Sequence, residues 1–99
     1  MLNITKKKEN AKLELALEGR LDTTTAPQLD ETINGEIDGV NELVFDFSAL
    51  EYVSSAGLRV LLSAQKKMNK QGSMVIRNVS EEINEIFNVT GFSDILTIE

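Results

Sequence analysis

Charged and apolar residues alternate with a period of two near the start of the chain. Residues 12–18 read KLELALE, so the three leucines of this segment share one face of a predicted strand and point toward a core. A shorter alternation over residues 3–7, followed by polar residues 8–10, predicts a second strand joined to the first by a hairpin turn. We expect the strand of residues 12–18 to end at Gly19.

The rest of the pattern alternates between helices and short apolar strands. Apolar residues at a spacing of four after Pro27 predict a first helix, entered through the threonines of residues 23–25, one of which we expect to cap it. A second helix is predicted from about residue 55 to residue 69, and a third after Ser80. Further strands are predicted at residues 43–47, 73–77 and 95–98.

This order of elements defines the predicted fold class. It is α/β: a small mixed, mostly parallel β-sheet with helices packed on it, built as a β-hairpin followed by helix, strand, helix, strand and helix in one domain of residues 1–99. Ligands and partners of such sheets meet the carboxyl ends of the strands, where helices begin. The segments after Leu17 and after Phe47 are therefore the predicted locations of a functional site.

Composition excludes several kinds of chemistry. The chain contains no histidine and no cysteine, so it lacks the usual general base, the Ser-His-Asp triad and the preferred zinc ligands. We therefore expect no enzyme activity, no metal and no cofactor. The net charge of −6 disfavours nucleic acid and anionic membranes as partners. No apolar run reaches the ~20 residues of a membrane span, and no secretory signal is recognisable, so we expect a cytoplasmic protein.

Two serines mark the start of the second predicted helix. Ser54 and Ser55 precede Ala56 and Gly57, and an apolar stripe follows. In one interpretation a serine caps the helix, and the two small residues let its first turn pack closely on the sheet. In the other, a serine is also phosphorylated. A helix N-terminus accommodates a phosphate, and the added charge of about −1.5 to −2 would expel a bound partner. The residues themselves leave both interpretations open.

Two segments resemble the STAS domain of bacterial anti-sigma factor antagonists. Residues 46–58, DFSALEYVSSAGL, resemble the signature region of that family, and residues 17–26, LEGRLDTTTA, resemble its Gly-x-Leu-Asp motif. The resemblance implies that the unphosphorylated form binds an anti-sigma factor that is also a serine protein kinase, and so frees sigma factor. It implies phosphorylation at Ser55 and reset by a serine phosphatase. The family's preceding Asp is replaced by Ser54, which is the second candidate for modification.

Several residues are expected at the partner contact. These are Asp22, Thr23, Thr24, Ser54, Ser55, Ala56, Gly57 and Arg59. For Asp22, a second interpretation is equally open: it is a turn residue bonded to the nearby backbone. For Arg59, the second interpretation is an ordinary exposed helix residue.

The alternative function is a STAS interaction module that is not phosphorylated, in another signalling or lipid-transport assembly. The predicted oligomeric state is a monomer or a weak dimer formed through an open sheet edge at the hairpin.

Overall fold

The computed structural model describes residues 2–99, which form one mixed sheet with helices packed on it. The strands are Leu2–Glu9 (β1), Lys12–Leu21 (β2), Glu42–Val53 (β3) and Ser73–Arg77 (β4), and the helices are Ala26–Glu36 (α1), Ser55–Gln71 (α2) and Glu81–Thr90 (α3). The sheet order is β1-β2-β3-β4, with β1 antiparallel to β2 and the other neighbours parallel. The predicted fold class is confirmed.

The core is built from the alternating residues of the central strands. The three predicted leucines of β2 are fully buried. Phe45 and Phe47 of β3 pack edge to face, with ring centroids 6.0 Å apart, and Phe87 of α3 lies 6.4 Å from Phe47. Because the sheet and the helices bury their apolar faces in a single cluster, α2 and α3 are held firmly against the sheet. No helix within residues 2–99 is long and apolar enough to cross a membrane.

The prediction that β2 ends at Gly19 is wrong. Gly19 adopts a φ of +107°, which glycine reaches without steric cost, and the register with β3 shifts on both sides of it. The strand continues through this irregularity to Leu21, and β3 likewise continues past Phe47 to Val53. The carboxyl ends of the two strands therefore lie at Leu21 and Val53, further along the chain than the alternation predicts.

In the last quarter of the chain, the pattern predicted the start of α3 correctly but not the final strand. Ser80 caps α3 by accepting the backbone N–H of Ile83 at 3.2 Å, as expected. The predicted strand at residues 95–98 is wrong, because the structure has only a single parallel bridge there, between Ile98 and Ile76. A 3-10 helix at Phe92–Asp94 precedes this bridge.

Candidate functional site at the ends of β2 and β3

The segments that follow β2 and β3 lie side by side. Leu21 and Val53 are partners in the parallel register, and the backbone N–H of Ser54 donates to the carbonyl of Leu21 at 2.8 Å. This bond joins the start of α2 to the loop that begins at Asp22. Parallel strands end at the same edge of a sheet, so two motifs more than 30 residues apart in sequence form one continuous surface.

The two serines occupy different positions at the start of α2. Ser54 is the N-cap residue, with extended backbone, and its half-buried hydroxyl accepts the N–H of Gly57 at 3.3 Å. Ser55 is the first residue of the helix and is exposed, and its hydroxyl makes no hydrogen bond within residues 2–99. The capping role predicted for one of the serines is therefore taken by Ser54. The Ser55 hydroxyl faces solvent beside the unpaired N–H groups of the first turn.

The small residues after the serines allow a close contact between α2 and β2. A Cβ added at Gly57 would lie 2.6 Å from Cγ of Leu21 and 3.1 Å from its carbonyl oxygen. Gly57 is buried and Ala56 is half-buried, so the surface presented to solvent here consists mainly of Ser55 and, one turn later, Arg59. The close packing expected for the two small residues is confirmed.

Asp22 organises the loop between β2 and α1. Its Oδ1 accepts the backbone N–H groups of Thr24 and Thr25 at 3.0 and 3.1 Å, and the hydroxyl of Thr24 at 2.7 Å. The Thr24 hydroxyl is the main reason that the pKa of the Asp22 carboxyl lies below its ordinary value, because each of these bonds favours the charged form. The turn interpretation of Asp22 is thus confirmed. Thr23 and Thr24 of this turn are exposed at the edge where β2 and β3 end.

The prediction that a threonine side chain caps α1 is wrong. Thr25 occupies the N-cap position but makes no side-chain bond to the helix. Its buried hydroxyl accepts the N–H of Asp22 at 2.8 Å and donates to the carbonyl of Arg20 at 2.8 Å. The Thr25 hydroxyl thus bonds backbone groups at and just beyond the end of β2 rather than those of α1.

A contact that sequence reasoning missed lies at the same edge. The guanidinium carbon of Arg20 is 4.5 Å from the ring centroid of Tyr52, within the range of a cation–π interaction. The two residues are cross-strand partners in the irregular part of the register. Tyr52 lies in the part of β3 beyond the predicted strand, and 36% of its surface is exposed. Only the register of β2 against β3 could have revealed the pair.

Acidic side chains within residues 2–99 form no cluster of three or more that could hold a metal ion.

Comparison with known proteins identifies the family. A match to the STAS domain family covers residues 3–99, and the chain belongs to that family. It is 31% identical over 99 residues to BtrV of Bordetella bronchiseptica, a candidate anti-sigma factor antagonist, covering 98% of this chain and 85% of that protein. It is 30% identical over 98 residues to the anti-sigma-B factor antagonist of Listeria monocytogenes, covering 95% and 84%.

Solved structures share the fold. An anti-sigma factor antagonist from Mycobacterium paratuberculosis matches with a TM-score of 0.89 at 22% identity, over 99% of this chain and 85% of that one. The Bacillus cell fate determinant SpoIIAA in its phosphorylated form matches with a TM-score of 0.77 at 18% identity, over 98% and 91%. The mixed sheet and its helices are thus those of structurally characterised antagonists.

Proposed function

We propose that this chain is a cytoplasmic anti-sigma factor antagonist controlled by phosphorylation of Ser55. Its unphosphorylated form binds an anti-sigma factor that is also a serine protein kinase, and sigma factor is thereby freed. The kinase transfers the γ-phosphoryl group of ATP to the Ser55 hydroxyl, which ends the binding, and a serine phosphatase removes the phosphate. The names of the relatives support the antagonist role, and the phosphorylated form of SpoIIAA supports the switch.

The observation that carries this proposal is the exposed hydroxyl of Ser55. A kinase must bring the acceptor oxygen in line with the γ-phosphate, so it needs a hydroxyl that is accessible and not already engaged. Ser55 meets both conditions, whereas the Ser54 hydroxyl is half-buried and accepts the N–H of Gly57. This difference favours Ser55 over Ser54 as the acceptor.

The surroundings of Ser55 favour a phosphate that changes binding without unfolding the domain. The first turn of α2 contains no acidic side chain, so a phosphate there meets free N–H groups and the positive end of the helix dipole. The phosphate adds a charge of about −1.5 to −2 at the surface shared with the Asp22 loop. A partner packed on this surface would have to desolvate that charge, so its affinity falls.

The serine in place of the family's Asp keeps the local geometry. Serine and aspartate are comparably good N-cap residues, and Ser54 makes the capping bond that an aspartate would make. The start of α2 therefore forms without the carboxylate, and the Ser55 hydroxyl stays accessible to a kinase.

The test is phosphate mapping with an anti-sigma factor of the serine-kinase type. The protein, Ser55→Ala and Ser54→Ala are each incubated with kinase and ATP, the phosphate is located by mass spectrometry, and kinase binding is measured before and after modification. We expect one phosphate on the protein and on Ser54→Ala, none on Ser55→Ala, and loss of binding on modification.

Phosphate on Ser54 would correct the site and keep the switch. Binding to a kinase that is active toward another substrate, without phosphate on either serine, would contradict the switch and favour a constitutive interaction module.

A further inference from the structure

Arg20 and Tyr52 lie near the same ends of β2 and β3 from which the Asp22 loop and α2 begin. They are partners in the register, each one residue before the Leu21–Val53 pair that abuts α2. Half of the Arg20 side chain is exposed, and Tyr52 is the one large apolar side chain at this edge that is exposed to solvent in residues 2–99. Arginine and tyrosine are among the residue types most enriched at the energetic centres of protein interfaces.

The guanidinium of Arg20 is oriented but largely unused as a hydrogen-bond donor. Its Nε forms a long ion pair with Asp22, 4.0 Å from Oδ2 and too far for a hydrogen bond, and Oδ1 of Asp22 is already bonded within its own loop. Stacking on Tyr52 restricts the side chain, so less rotamer entropy is lost when a ligand binds. A planar, restrained guanidinium with free N–H groups is suited to a bidentate carboxylate.

Positive groups are also present at this edge, although the chain as a whole carries −6. The first turns of α1 and α2 contain no acidic side chain, and Arg59 is exposed one turn after Ser55. Three carboxylates lie within two residues of the pair: Glu18 accepts a hydrogen bond from Asn3, half-buried Asp22 is bonded within its own loop, and Glu51 is exposed. The two arginines and the positive ends of two helices oppose the charge of these carboxylates.

We propose that the Arg20–Tyr52 pair is a contact point of the docking surface and that it receives an Asp or Glu side chain of the partner protein. The inference rests on the proposed function, since the partner is the anti-sigma kinase that also reaches Ser55. The carboxylate bonds to the guanidinium, and the chain that carries it packs on the exposed part of the Tyr52 ring. The pair then contributes to affinity without taking part in phosphoryl transfer.

The test measures binding of the anti-sigma kinase to the unaltered protein and to variants. Arg20→Gln should weaken binding by about tenfold or more, and Arg20→Lys by less, because lysine keeps the charge and loses the planar fork. Arg20→Glu should weaken it most. Arg77→Gln is the matched control: Arg77 is a partly exposed strand arginine on β4, paired with Glu99, and its loss should change affinity less than twofold.

A second readout requires no substitution. Tyr52 is the only tyrosine of the chain, so 3-fluorotyrosine labels this position alone and gives a single fluorine resonance. We expect that resonance to shift when the kinase binds.

If the unaltered protein binds while Arg20→Gln binds equally well and the resonance does not move, the contact point is overturned and the proposed function stands. If Arg20→Glu binds more tightly, the acidic ligand is overturned. If the unaltered protein does not bind the kinase, the proposed function itself fails.

Discussion

The contact between Gly57 and Leu21 makes a quantitative prediction for Gly57→Ala. Carbon atoms in contact normally lie about 3.5–4.0 Å apart, whereas the new Cβ would lie 2.6 Å from Cγ of Leu21. Leu21 or α2 must therefore move by about 1 Å. Neither moves freely, because the Leu21 side chain is fully buried and its carbonyl is bonded to Ser54.

The expected change in the free energy of unfolding follows from comparison with a second helical glycine. Gly35 lies near the end of α1, and a Cβ there would meet nothing within 4 Å. Gly35→Ala should therefore gain about 0.5–1 kcal/mol from helix propensity alone. Gly57→Ala gains a similar amount but also incurs an overpacking cost of about 1–3 kcal/mol. We expect Gly57→Ala to be less stable than Gly35→Ala by about 1–3 kcal/mol.

The assay is chemical and thermal unfolding of both variants beside the unaltered protein. In a domain of this size each kcal/mol shifts the melting temperature by about 4–8 °C, so the two variants should differ by at least about 4 °C. If Gly57→Ala is stabilised as much as Gly35→Ala, the close approach of α2 to β2 is not rigid and the reasoning is refuted.

Two further predictions concern the serines and the acid range. Ser54→Ala should lower the free energy of unfolding by about 0.5–1 kcal/mol, because it removes a long capping bond. Ser55→Ala should change it by no more than about 0.5 kcal/mol. Denaturant titration measures both values, and equal losses would contradict the assignment of the cap to Ser54. Hydrogen bonds from the Asn78 side chain and the Ser48 N–H lower the pKa of Asp46, so its carboxylate stabilises the fold fully above about pH 4, and this contribution is lost as the pH falls through the folded-state pKa. Asp46→Asn should flatten the decline in melting temperature below pH 4, and an unchanged pH profile would argue against these bonds.

Local patterns in the sequence were enough to predict most elements of this fold. The period-two leucines of β2 and the serines before α2 and α3 act through their immediate neighbours, so their consequences are readable from adjacent residues. The resemblance of residues 46–58 and 17–26 to STAS domains was confirmed by the family match.

The tertiary structure decided where the site lies and which distant residues it brings together. β2 passes Gly19 and β3 passes Phe47 because each strand finds backbone partners on the other, and pairing between segments some 30 residues apart leaves no local signal. The same pairing sets Arg20 against Tyr52. The Ser54 cap is local, but the bond from the Ser54 N–H to the Leu21 carbonyl and the close contact of Gly57 with Leu21 join α2 to a distant strand, and only the tertiary structure shows them.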